Sequence, residues 1–289
     1  MKAGLGIVCS VAGMFLVSGC SFMERQGVNM TTPLLKDMVN NIMKLQSAEL
    51  AQEGLPGQIL LISALVEFSP KNDQLLALAS QAYASYGLSV EWEDPAYAIE
   101  LYNIGKKYGL RALRLNNRAI NDGLEKGRHL SDVIEEMQKS DVPAAFWYGL
   151  NSGLGVMLQM DDPYALTELG DTTKVFERIL KLQDDYFYYS PHLFQGAYYA
   201  MSGPMLGGGA DKARKEFRVA FKKTDNKFLL AHVFYARYYA AMALDEPLFD
   251  KTLEYVLKTP AESLPEARLA NSIAKKKAEW LKANKDKFF

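Results

Sequence analysis

Three sets of side chains in this sequence could carry chemistry: paired carboxylates, scattered histidines and a glycine-rich turn. The carboxylate pairs are Glu135-Glu136, Asp161-Asp162 and Asp184-Asp185. An acid–base couple that shares a proton needs two carboxyls facing one another. Adjacent residues on a helix point in different directions, so these pairs read as caps and solvated faces. His129, His192 and His232 have no neighbouring cysteine and no second histidine at metal-site spacing, and no His-Glu-x-x-His run occurs. Each reads as a satisfied or surface histidine. Gly203-Pro204-Met205-Leu206-Gly207-Gly208-Gly209 has the glycine content of a phosphate loop, but such a loop follows a strand and ends in Lys and Ser or Thr. Here Ala210-Asp211-Lys212 follows, and Asp211 stands where the anion would have to bind. The run reads as a turn whose glycines supply positive φ before an acid-capped helix. With no Gly-x-Ser-x-Gly elbow either, the expected class is a non-enzyme with no catalytic residue, cofactor or metal.

The remaining reactive group is Cys20. Lys2 precedes an uncharged apolar run from Leu5 to Val17, too short for the ~20 residues that span a bilayer. A basic start, apolar middle and small-residue end make a secretory signal over residues 1–19. Val17-Ser18-Gly19-Cys20 resembles the lipobox of bacterial lipoproteins, in which the cysteine is acylated and the peptide before it removed. A disulfide has no partner, because Cys9 would leave with the signal, and no metal-ligand set surrounds Cys20. Two or three acyl chains, at about 0.8 kcal/mol per buried CH2, hold a protein stably at a membrane. By resemblance to a sorting rule, Ser21 beside the cysteine implies the periplasmic face of an outer membrane. Residues 20–31 read as a polar lipidated tether reaching at most about 35–40 Å.

The body beyond it, residues 32–289, reads as helical. Thr32-Pro33, Asp94-Pro95, Asp162-Pro163 and Ser190-Pro191 each set a capping side chain before a proline at the first helical position. Apolar residues recur three and four apart, as at Leu75, Leu78, Ala79, Ala82 and Tyr83, and strand-like alternation is absent. The fold class is all-α. With 49% hydrophobic residues and a formal net charge of −1, the body can build a sizeable core and offers no field for nucleic acid. The lysines near the C-terminus read as a solvated helix face.

An internal echo organises these helices. Ala82-Tyr83, Ala98, Tyr102 and Gly105 recur as Ala197-Tyr198, Ala213, Phe217 and Ala220, an offset of 115 residues throughout. Small-x3-aromatic-x2-small places all three on one helix face, which resembles the second half of a tetratricopeptide repeat. The interval before the alanine is longer than in that repeat and its closing proline is missing. The expectation is a compact array of divergent helical hairpins, with looser copies around Val175, Ile179, Leu182 and Phe249, Leu253, Val256. Any helical protein yields some coincident spacings, but four matching positions at one offset favour true repeats.

Aromatic residues cluster at Phe146-Trp147-Tyr148, Tyr186-Phe187-Tyr188-Tyr189, Tyr198-Tyr199 and Phe234-Tyr235 with Tyr238-Tyr239. A helix buries only part of its circumference, so consecutive rings cannot all face one core stripe. Some meet a second helix layer; others would meet a partner or line an apolar passage. Trp92, Trp147, Tyr148, Tyr188, Phe194, Tyr198 and Met205 are the candidate ligand- or partner-binding positions.

Several segments then carry a family resemblance. They are Asp141-Val142-Pro143-Ala144-Ala145-Phe146-Trp147; Met205-Leu206-Gly207-Gly208 running into Lys212-Ala213 and Phe217; Tyr235-Ala236-Arg237-Tyr238; and Arg268-Leu269-Ala270-Asn271 with Ala274 and Lys277-Ala278. In this order, behind a lipobox, the chain resembles the T components (TatT) of tetratricopeptide-repeat-protein-associated TRAP transporters. The resemblance implies a periplasmic lipoprotein that associates with a TRAP solute-binding (P) protein. It further implies self-association, as trimers in some members, and a cavity or pore for a small hydrophobic ligand. The alternative is a structural helical-repeat scaffold in envelope assembly with no small-molecule site.

Overall fold

The computed structural model describes residues 26–45, 47–202, 204 and 207–289. Cys20 and Met205 lie outside the described residues. The described chain is all-α, with no strand among its residues. Helix α1 covers residues 26–42. It is followed by α2 (Ala48–Phe68), α3 (Asp73–Val90), α4 (Pro95–Asn116), α5 (Arg118–Glu125), α6 (Leu130–Val133) and α7 (Val142–Met157). Then come α8 (Pro163–Leu182), α9 (Tyr186–Met201), α10 (Ala210–Lys223), α11 (Leu229–Phe234), α12 (Glu246–Lys258) and α13 (Arg268–Ala283). A π-helical turn, Tyr235–Ala240, continues α11, and short 3-10 turns fill several connections.

Local chemistry sets most of the boundaries. The Asp94 carboxylate accepts from Tyr97 N and that of Asp162 from Tyr164 N, each before a proline. Asn72 and Asp245 cap α3 and α12 in the same manner. The glycine-rich run is a turn: Gly207 and Gly209 have φ of 79° and 121°, and Asp211 sits in the first turn of α10.

Two expected helix starts are corrected. Thr32 does not cap a helix; it lies inside α1, where its hydroxyl and that of Thr31 donate to Val28 O. Threonine bonded back to a carbonyl one turn earlier is compatible with a helix interior. The helix is already formed at residue 26, within the stretch read as tether. At Ser190-Pro191 the hydroxyl donates to Phe187 O at 2.5 Å instead of accepting from the helix, because the chain enters from a left-handed turn.

The two segments that share the small-aromatic-small spacing form two helix hairpins, α3–α4 and α9–α10. Each brings a glycine against an aromatic: a Cβ at Gly87 would lie 2.4 Å from the Tyr102 ring, and one at Gly196 2.9 Å from Phe217. Only glycine permits that approach. Ala98, Tyr102, Ala213, Phe217 and Ala220 are all buried. So are Val175, Ile179, Phe249, Leu253 and Val256.

Helix α7 runs through the middle, packed by α3, α4, α8 and α9. Every residue from Ala144 to Met157 is buried. The last helix, α13, returns to α2, α11 and α12 and closes the core. Among the described residues no helix is long and apolar enough to cross a membrane.

Candidate functional site

A groove of about 910 Å³ lies between α1, α3, the N-terminal end of α7 and the start of α9. Its aromatic wall is built by an unusual piece of backbone. Phe187, Tyr188 and Tyr189 have φ of 44°, 59° and 60°, so the first turn of α9 is left-handed and the right-handed helix begins after it. A left-handed turn costs roughly 1–2 kcal/mol per L-residue, and such strain concentrates where it is used.

The rings offset that cost by packing. Trp147 and Phe187 meet edge-on with centroids 4.9 Å apart, and Phe187 and Tyr188 are 5.3 Å apart. Tyr188 stacks on Phe228 at 5.0 Å and donates its hydroxyl to Glu266 O at 3.0 Å. Inward, Phe146 contacts Trp147 (4.9 Å), Tyr186 (4.9 Å) and Phe176 (5.9 Å), and Phe176 stacks on Phe194 at 4.0 Å. A continuous line of rings thus runs from the groove into the core. Burial pushes the Tyr186 hydroxyl up to about 12, against a lowering contact from Trp147. Burial, with the Glu266 charge beside it, pushes Tyr188 to about 12 as well. Both stay neutral donors at any physiological pH.

The opposite wall is more polar. Thr32, Lys36 and Asn40 of α1, Lys44 just after it, and Asp73, Gln74 and Gln81 of α3 line the cavity with the apolar Met43, Ala77 and Leu78 among them, and Asp185, Lys223 and Glu266 add further charged groups. The site therefore offers apolar ring surface on one side and hydrogen-bonding or charged groups on the other. That suits a small molecule with an apolar body and a polar end.

The six candidate residues that are described do not converge. Trp147 and Tyr188 line the groove. Tyr148, next to Trp147, is buried beside α4, where its backbone lies against Gly109. Burial first, and then the Asp171 and Glu168 charges, raise its hydroxyl far above the usual tyrosine value. Phe194 is 1% exposed and fills the space at Gly153. Tyr198 is half-buried beside Tyr199 at 5.8 Å. Trp92 packs on Leu269 and Ile273 of α13. The polar wall escaped the sequence reading, since residues scattered over α1 and α3 carry no motif. So did Phe187, whose left-handed φ has no sequence marker, and Gln195, whose fully buried amide has no hydrogen-bonding partner among the described residues.

The histidines behave as structural residues. His192 Nδ1 lies 2.6 Å from the Glu216 carboxylate and joins α9 to α10. His232 stacks on Phe221 at 4.2 Å, and burial lowers its imidazole to about 4. No group of three or more His, Cys, Asp or Glu among the described residues could hold a metal ion.

With this geometry in hand, comparison with known proteins gives one decisive match. Residues 46–289 fit the family model described as TRAP transporter T-component. The chain belongs to that family. TRAP T components are a transporter-component family and not an enzyme family. A relative in Treponema pallidum (strain Nichols), an uncharacterized protein, is 27% identical over 216 residues, which is 69% of this chain. The chain spans 63% of the length of that curated relative. The T-component match takes in α2 to α13, and with them the central α7 and the left-handed turn of α9; α1, which supplies part of the polar wall, lies before it.

Proposed function

We propose that this chain is a periplasmic lipoprotein subunit accessory to a TRAP-type transporter. In this reading acylated Cys20 holds the helical body at the outer membrane. The body docks the transporter's solute-binding protein, and the groove between α1 and α9 takes a small hydrophobic ligand. Family membership supports the transporter role, and the Val-Ser-Gly-Cys run supports the anchor. The single observation that carries the ligand site is the strained Phe187–Tyr189 turn, which sets Phe187 and Tyr188 beside Trp147 in an open cavity. A scaffold with no small-molecule site would have no evident use for that strain. We read the α3–α4 and α9–α10 hairpins as divergent tetratricopeptide units and the functional form as a homo-oligomer.

Two measurements test this. The protein solubilised from its native membrane should retain a TRAP solute-binding protein from periplasmic extract; recovery of none overturns the docking role. An apolar fluorescent probe should bind the purified protein, accept energy from Trp147 and bind about tenfold more weakly to Phe187→Ala, a loss of about 1.4 kcal/mol. Equal affinity in the variant would place the ligand elsewhere, and no probe binding would favour the scaffold.

A further inference from the structure

Helix α1 is amphipathic the wrong way round for a surface helix. Met30, Leu34, Met38 and Leu45 are 80%, 61%, 48% and 37% exposed. Met30, Leu34 and Met38, spaced four apart, form one stripe on α1, and Leu45 follows three residues after its end. Asn41 is the one other side chain on that stripe and Asp37 borders it. The face turned inward is already used. Val28, Leu35 and Met43 pack on the core, Thr32, Lys36, Asn40 and Lys44 line the groove, and Asn29 bonds Ser69 and Asn72. The far end of the helix is pinned where Met43 O accepts from Leu269 N at 3.0 Å. Rotation to hide the stripe would break both ends.

We propose that this outer face of α1 seats on the surface of the phospholipid bilayer. Chain length argues for this occupant over a protein. Residue 26, the first described residue of α1, is six residue steps from Cys20, a covalent reach of about 20 Å at most. Acyl chains on Cys20 therefore keep residue 26 within about 20 Å of the lipid, and Met30, one helical turn on, within about 26 Å. Interfacial helices bury such a stripe at the acyl boundary. The inference rests on the acylation of Cys20 proposed above. It adds that the anchor is not a loose leash: the wall of the groove itself lies on the membrane, so the cavity opens beside the lipid surface.

The test uses the full processed protein in vesicles of phosphatidylethanolamine and phosphatidylglycerol. Nitroxide labels are placed at Leu34→Cys, at Met38→Cys and, as a solvent reference, at Arg118→Cys, whose native side chain is 93% exposed. Mass spectrometry of Cys20 is run on each sample. Expected are an acylated Cys20, increased collision with oxygen and loss of collision with a water-soluble nickel complex at Leu34→Cys and Met38→Cys, and neither change at Arg118→Cys. High nickel collision at all three sites with acylated Cys20 would overturn the seat while leaving the anchor standing. Loss of both oxygen and nickel collision at α1 would mean that protein, a second copy or a partner, covers the stripe, and would also overturn it. An unacylated Cys20 in protein that stays in solution would end the anchor reading, and the seat with it.

Discussion

Lys277 in α13 and Glu91 at the end of α3, 186 residues apart in the chain, form a fully buried ion pair. The Tyr102 hydroxyl donates to the other Glu91 oxygen at 2.6 Å, and Trp92 and Phe234 each set a ring about 6 Å from the Lys277 ammonium. This three-way junction ties the first hairpin to the last helix.

Removing one partner leaves the other charge buried. Lys277→Met is expected to destabilise the protein by about 3–5 kcal/mol, while Glu91→Leu with Lys277→Met recovers most of that loss. Chemical denaturation of the three proteins checks it. A single substitution as mild as the double would mean that water reaches the pair.

The left-handed turn predicts an inverted ranking of two small residues. In a right-handed helix glycine is less stable than alanine by about 1 kcal/mol. At position 189, where φ is 60°, Tyr189→Gly should instead be more stable than Tyr189→Ala by about 1 kcal/mol. The half-buried Tyr189 ring is lost equally in both, so thermal melts compare the backbone alone. The ordinary order would refute the turn.

His232 should make stability pH-dependent. Its folded value is about 4, against 6.5 when exposed, so the unfolded chain binds the extra proton between those values. The contribution is fully present above about pH 6.5 and is lost as pH falls toward 4, by about 3 kcal/mol in all. His232→Phe keeps a ring against Phe221 and should flatten this part of the curve. An unchanged slope between pH 7 and 4 would assign the effect to other groups.

Gln195 carries a different signature. An amide buried with no partner costs about 1–3 kcal/mol, so Gln195→Met, of similar shape, should raise the denaturation midpoint. A lowered midpoint would show that the amide is satisfied in solution.

How far these features could be read from the sequence depends on the range of the forces involved. The caps at Asp94 and Asp162 act within three residues, and both starts were readable. Thr32-Pro33 has the same letters, yet the threonine bonds backward and the helix runs through; local chemistry allows both outcomes, and the contacts of Asn29 with Ser69 and Asn72 decide. Phe146, Trp147 and Tyr148 could be seen to need more than one buried surface. Which of them meets open space is set by the position of α9, and only Trp147 does. Trp92 and Phe194 fill helix interfaces, a fate that aromatic content alone does not separate from lining a groove. The ion pair between Lys277 and Glu91 left no mark, since nothing short-range links residues so far apart.

The π-helical turn at Tyr235–Ala240 is a register shim. Its additional residue offsets all that follows by about 100° about the helix axis relative to an unbroken α-helix. Trimming a single residue there would leave the local hydrogen bonds intact or tighter, yet swing α12 and α13 out of phase with the first hairpin and carry Lys277 off Glu91. Distances along this chain are thus metered in fractions of a turn, and length changes within that segment should be far less tolerated than substitutions.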